Sequence, residues 1–322
     1  MTDAIPQPHK VHLIARHAES TIWLARYIER IENMARILDV TNTFARDADD
    51  TSNWLSIPRI NGDLEAFYKK HAEATQHSVG EFYLLDATNP TSVQSFITVA
   101  RENARTLRAL ISTEMWLQLN VFYSTIRALD AASVAPDNFT AVCTMLKVGA
   151  QSHTGITEGT LYRDQAWHFY MIGRYLERAD QTTRLLDTRF HALAPRTDAV
   201  DAELDAGHWI ALLRAAAGYH AYRREHPSGY RAPDVAYFLL ANTAFPRSVG
   251  LNLAQVGRHL TQLRRRYLLR MSPAMERLDQ LNSTLTYQNV TERASRKLSP
   301  FLDYVQQEIA GLHKDIVDTF AA

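Results

Sequence analysis

At 322 residues, 46% of them hydrophobic and 22% charged, the chain is too apolar for disorder. It is also long enough to bury roughly three-quarters of its unfolded surface. Its 35 basic and 35 acidic residues balance, which argues against a dedicated nucleic-acid binder, whose affinity rests on neutralising phosphates. The single cysteine, Cys143, excludes an internal disulfide and any CxxC zinc or redox site, and its apolar neighbours make it a small core residue.

Residues 1–11, with Pro6 and Pro8, are expected to form a flexible tail. No signal-peptide pattern opens the chain, and no run approaches the ~18 uninterrupted apolar residues of a membrane span. A cytoplasmic protein without membrane contact is therefore expected. From His12, Leu24, Tyr27, Ile28, Ile31, Met34, Ala35 and Leu38 follow the i, i+3, i+4, i+7 pattern. This predicts a long helix over about 12–46, ending before the polar stretch Asp47 to Asn53. Thr91 or Ser92, after Pro90, can cap a helix through Arg101 to Ile111, and Asp137 can cap the helix holding Cys143.

His153 to Thr160 reads as a loop, followed by a second long helix over about 160–192. Pro227 to Pro233 reads as another loop, and Pro246 is expected to open a helix from Arg247 to Leu269. Ser272-Pro273 and Ser299-Pro300 each place a hydroxyl before a proline at the first helical position. No convincing strand alternation occurs. The fold class is all-α: a large bundle of ten to thirteen helices, forming one domain over 12–322 with two related halves.

The two halves follow from an internal repeat. Shifted by 148 positions, Arg26-Tyr27-Ile28-Glu29-Arg30 falls on Arg174-Tyr175-Leu176-Glu177-Arg178. Glu32 then matches Asp180, Arg36 matches Arg184, and Leu38-Asp39 matches Leu186-Asp187. This predicts a pseudo-symmetric pair of long helices packed at the centre. Glu32/Arg36 and Asp180/Arg184 are favourable i, i+4 pairs worth only ~0.2–0.5 kcal/mol each. Arg26/Arg30 and Arg174/Arg178 instead put like charges one turn apart. Glu29 and Glu177 can reach the first arginine of each copy, so the second needs an anion from elsewhere. That anion is either a carboxylate of the facing repeat, giving an ion-pair lattice, or a bound carboxylate or phosphate held by arginine forks.

Arg101, Arg105 and Arg108 form a basic stripe beside Glu102, for which a solvated face is the plain explanation. Ser112, Glu114 and Trp116 suggest a Trp-anchored turn. The thirteen histidines include no HExxH and no i, i+4 pair, so no metal is expected. Arg264-Arg265-Arg266 point around a helix rather than to one face. The chain lacks GxGxxG, GxxxxGK[ST] and GxSxG, so it has no recognisable ATP or dinucleotide site; ATP and Mg2+ would come only through a partner.

The motifs resemble those of the Alpha-E family of bacterial α-helical proteins. They are Ala18-Glu19, Trp23 to Asn33, Ala100 to Arg105, Ser112 to Trp116, Arg163-Asp164, Trp167, Gly173 to Asp180 and Phe245 to Val249. Ser20, Ala25 and Gln165 depart from the family pattern as asparagine, glycine and acid replacements. The resemblance implies a non-autonomous component of a system with an ATP-grasp-like ligase and, in some cases, a transglutaminase-like peptidase. If the chain were an enzyme, its chemistry would be ligation or acyl or aminoacyl transfer, making or modifying a peptide or amide-linked product. Arg26, Arg30, Arg174 and Arg178, with Arg101 and Arg105, would hold a small anionic ligand or peptide in an Arg/Glu-lined central cavity. Glu29 and Glu177 would orient the arginines or act as general base, with Tyr27, Tyr175, Glu102, Glu114 and Asp164 in support. The alternative is a structural scaffold or adaptor with no ligand of its own. A homo-oligomer is left open, and nucleic acid is disfavoured.

Overall fold

The computed structural model describes residues 13–48, 54–192, 199–294 and 298–319. The expected tail at 1–11 lies outside them. Fifteen α-helices and no strand are found among the described residues. Two are central: α1 (Ala15–Ala48, 34 residues) and α8 (Gln165–Ala192, 28 residues). They pack against each other more extensively than any other pair.

Around each lie three further long helices in a matching order. α1 is flanked by α5 (Val93–Thr106) and α7 (Pro136–Thr160), with α6 (Thr113–Arg127) bridging those two. α8 is flanked by α12 (Val249–Tyr267) and α15 (Leu298–Asp318), with α13 (Ser272–Thr284) bridging them. Shorter helices fill the connections: α2 (Ser56–Asn61), α3 (Leu64–Tyr68) and α4 (Gln76–Gly80) in the first half. In the second half they are α10 (Tyr219–Glu225), α11 (Ala232–Ala241) and α14 (Tyr287–Ala294), which follow the longer connecting helix α9 (Ala199–Ala215).

The apolar stripe read from α1 is the buried one: Leu24, Ile28, Ile31, Ala35 and Leu38 are all almost fully enclosed. Each fully buried Leu or Ile stabilises by about 1.5–3 kcal/mol. Because α1 has neighbours on several sides, polar residues on its other faces are buried as well, among them Arg26, Glu29, Glu32 and Asn33. At the crossing, α8 presents Gly173, where a Cβ would lie 2.3 Å from the Ile22 carbonyl oxygen of α1. The repeat extends to the flanking helices: Pro90-Thr91-Ser92-Val93 enters α5, and Pro246-Arg247-Ser248-Val249 enters α12. In both, the serine hydroxyl accepts the N–H three residues on, from Ser95 and Leu251 at 3.1 Å. Such a cap is worth about 1 kcal/mol.

Several boundaries differ from expectation. The fifteen helices exceed the predicted ten to thirteen because α2, α3, α4 and α10 span only five to seven residues, too few for a period to register. His153 to Thr160 is not a loop: it is the last two turns of α7, whose Ala150, His153 and Thr157 form a buried face. Two glycines and three threonines in that segment (Thr154, Gly155, Thr157, Gly159, Thr160) weaken local propensity, and packing overrides it. Ser272 does not cap α13, which begins after Met271 with no side-chain cap bond, and Ser299 lies inside α15. Asp47 and Ala48 continue α1, while 49–53 fall outside the described residues.

Candidate functional site

The repeated motifs meet where α1 and α8 cross, and each helix supplies the carboxylate that the other lacks. Arg26 and Arg30 both donate through Nε to Glu177, at 2.7 Å to its two oxygens. Arg178 returns the exchange as a fork, with Nε and Nη2 donating to Glu29 at 2.8 Å each. The second arginine of each copy, unmatched in its own helix, thus finds its anion in the facing copy. Glu29 does not pair with Arg26 along its own helix.

The exchange is reinforced unequally. Gln181 donates to Glu177 at 2.9 Å. On the other side Arg247, just before the Ser248 cap of α12, reaches Glu29 at 3.2 Å, Glu32 at 2.7 Å and the Asn33 side-chain oxygen at 2.8 Å. Arg174 stands off from Glu29 at 3.9 Å and pairs with Glu158 instead. Its buried Nε has no hydrogen-bond partner. Arg36 and Gln151 also bond Glu32, and Arg184 bonds Asp180 at 2.8 Å.

Electrostatics follow from this geometry. Burial disfavours the charged form of Glu29, but Arg178 and then Arg247 outweigh it and hold its pKa near 2. Burial is likewise overcome at Glu177 by Arg30 and Arg26, again to about 2. Both carboxylates are therefore ionised, and all four of their oxygens accept hydrogen bonds or ion pairs. At Arg247 desolvation dominates, and the like charges of Arg178 and Arg36 add to it; its pKa falls to about 10 despite Glu29 and Glu32. Arg30 is the most open of the central guanidiniums, its side chain 24% exposed. It lies over Trp23, Tyr27 and Phe96 at 5.5–5.7 Å from each ring. His313 of α15 packs edge-on against Trp23, and its buried Nδ1 has no partner.

A family model, Alpha-E, described as a predicted alpha-helical domain with a conserved ER motif, matches residues 13–320. The chain belongs to the Alpha-E family. Of the Glu-Arg pairs in the chain, Glu29-Arg30 and Glu177-Arg178 interlock at the crossing, while Glu276-Arg277 and Glu292-Arg293 lie on α13 and α14. Relatives include the uncharacterized proteins Mb2597 of Mycobacterium bovis and Rv2567 of Mycobacterium tuberculosis strain H37Rv, each 23% identical over 329 residues. The match covers 93% of this chain but 36% of each relative, so the chain spans about a third of their length. No solved structure matches it.

Other Alpha-E motif residues lie away from the crossing. Arg101 donates to Asn120 at 2.8 Å and rests on the Trp116 and Tyr123 rings, between α5 and α6. Arg105 pairs with Glu102 on the exposed face of α5, and Glu114 is exposed in the first turn of α6. Among the described residues, none of them forms a hydrogen bond or ion pair with a crossing residue. Asp164 opens α8, its Oδ1 accepting the Ala166 N–H at 2.9 Å. Gln165 accepts the Leu13 N–H at 2.8 Å, a structural use that suits the amide standing in for an acid. Tyr27 packs on Phe96 and Tyr175 on His259. Cys143 is buried, and burial raises its thiol pKa, so it is a core residue. Arg247 is the participant that periodicity could not reveal: it precedes a helix, and the Phe245 to Val249 motif and the repeated Pro-x-Ser-Val entry mark its place but not its partners.

No described helix is long and apolar enough to cross a membrane, and no cluster of three or more metal-ligating side chains occurs among the described residues.

Proposed function

We propose that this chain is the anion-holding, non-autonomous component of a ligase system driven by an ATP-grasp-like partner. In this reading the α1–α8 crossing engages the carboxylate or phosphate of an amino acid, peptide or acyl-phosphate intermediate. The observation that carries it is a charge imbalance. Among the described residues, Arg26, Arg30, Arg36, Arg174, Arg178 and Arg247 share Glu29, Glu32, Glu158 and Glu177 as their partners within 4 Å, while Asp180, paired with Arg184, lies near Arg30. Two positive charges are thus left over where water is largely excluded. Desolvated cations that must share a counter-ion are costly, and an anionic ligand offsets that cost. The open edge of Arg30 is the natural point of entry.

Glu29 and Glu177 serve this reading by orienting the guanidiniums. With pKa values near 2 and every oxygen engaged, they are poor bases. The match to only a third of each mycobacterial relative supports a unit that works beside other modules. ATP and Mg2+ belong to the partner. A second reading, a scaffold whose charges only set helix register, draws on the complete pairing of the two glutamates.

A thermal-shift screen separates the two, using glutamate, short acidic peptides and phosphate esters. Saturation at 100-fold the dissociation constant adds about 2.7 kcal/mol. A stabilising ligand whose effect disappears in Arg30→Lys and Arg178→Lys, with both variants folded, supports the proposal. Silence from every anion, or an unchanged response in the double variant, favours the scaffold.

A further inference from the structure

A second concentration of arginines lies on α10, and it is arranged in the opposite way. Tyr219, His220, Arg223 and Arg224 fall at i, i+1, i+4 and i+5, which puts them on one side of the helix. They line an open pocket of about 510 Å3, within the roughly 300–1,000 Å3 usual for small-ligand sites. Arg223 and Arg224 are exposed, and neither has a carboxylate within 4 Å among the described residues. Arg214, from the last turn of α9, is also unpaired and lies over the Tyr219 ring at 5.2 Å. The adjacent acid, Glu225, accepts from Asn242 instead. At the crossing every arginine has an acid; here three guanidiniums and an imidazole face solvent together, although like charges one turn apart repel.

The backing of this face is fixed. Tyr222 is fully buried, stacked between His226 at 4.6 Å and Tyr230 at 5.8 Å, with Phe238 edge-on at 5.4 Å. Gly218 admits no side chain, since a Cβ would sit 2.8 Å from Phe245. Ala217, just before it, holds a left-handed φ of 56°, which a non-glycine residue keeps only where the surroundings enforce it. The Tyr230 hydroxyl lies beside Tyr219 and Arg223 without a hydrogen bond of good geometry. An uncompensated cationic face, a preformed concavity and an aromatic wall are what a small anion with a planar or apolar body requires.

We propose that the α10 face is a binding site, separate from the crossing, for a small phosphomonoester. Arg223 and Arg224 take the phosphate as forks, His220 closes its flank, and the organic part lies against Tyr219. Calorimetric titration of the full chain with phenyl phosphate, inorganic phosphate, sulfate and phenol tests this. Phenyl phosphate is expected to bind best, inorganic phosphate more weakly, and phenol not at all. Arg223→Gln and Arg224→Gln should each weaken phenyl phosphate by about tenfold to a hundredfold, the loss of one charge-assisted contact. Tyr219→Leu should erase the advantage over inorganic phosphate, and the α10 losses should be the same size in an Arg30→Lys background, where binding at the crossing is removed. Absence of saturable binding overturns the proposal, as does equal affinity for sulfate and phenyl phosphate. So does binding that survives the α10 substitutions but is lost in Arg30→Lys, which would move the anion to the crossing.

Discussion

Glu29 and Glu177 occupy equivalent places 148 residues apart, yet their surroundings differ by one arginine. Around Glu177 the partners are Arg26, Arg30 and Gln181, all from the two crossing helices. Glu29 receives the fork of Arg178, the segment entering α12 adds Arg247, and Arg174 stands 3.9 Å away. The residue equivalent to Arg247 at the entry to α5 is Thr91, whose hydroxyl donates to Asp63 at 2.7 Å. The helices differ too: α8 has Gly173, set against the Ile22 backbone, where α1 has Ala25. What the halves share, the exchanged glutamate–arginine pairs, fixes the register of α1 on α8. What they do not share concentrates positive charge on one side and close approach on the other.

Acid should act on both halves at once and most strongly. Glu29 and Glu177 are held near 2 against an ordinary 4.5, so their stabilisation is intact above about pH 4.5 and is lost as pH falls towards 2. His153, His168, His259 and His313 are depressed by burial to about 4 from 6.5, so the unfolded chain takes up protons first. Their contribution declines between pH 6.5 and 4. Denaturant melts should show stability falling in two successive windows, by several kcal/mol in all; a flat profile from pH 7 to 3 would contradict the buried pairing.

Single substitutions then sharpen the comparison. Glu177→Gln should cost about 3–5 kcal/mol by leaving buried arginines without their anion, and more than Glu29→Gln, because Arg26 and Arg30 then have no acid within 4 Å whereas Arg247 keeps Glu32 and Arg174 keeps Glu158. Equal losses in urea titrations would mean that these second acids contribute nothing to the difference. Gly173→Ala should cost about 3 kcal/mol, because a carbonyl oxygen cannot yield as a flexible side chain can. Arg247→Met should cost only about 1–2 kcal/mol, since the lost contacts are offset by relief of desolvation and of repulsion with Arg178. Ala25→Gly, which makes the halves alike, should cost about 1 kcal/mol from backbone entropy alone; a larger loss would show that the Ala25 methyl packs as tightly as the crossing itself.

Much of this was legible in the sequence because its signals are periodic. The stripe from Leu24 to Leu38 is the buried face of α1, and the doubled Arg-Tyr-x-Glu-Arg segments lie at the crossing. The local mismatch of Arg30 and Arg178 pointed to an anion outside their own helices, and the facing glutamates provide one. Arg101 and Arg105 show the limit. Their spacing describes a stripe but not its neighbours: Arg101 lies against α6 rather than α8, and Arg105 pairs with Glu102 on the exposed face. His153 to Thr160 was misread because burial against other helices, not local propensity, keeps that segment helical. Arg247 carries no period at all, and its role exists only once α12 is docked.

The crossing has a further consequence. Arg30 meets Glu177 while Arg178 meets Glu29, so each contact has a mate with the two copies interchanged. That is the rule of an isologous interface, the kind found in a twofold homodimer, here enclosed within one polypeptide. In a true dimer every substitution appears twice and must suit both sides of the axis. Joined in one chain, the two sides answer to separate codons, which leaves Arg247 free of any arginine at Thr91 and lets Ala25 stand opposite Gly173.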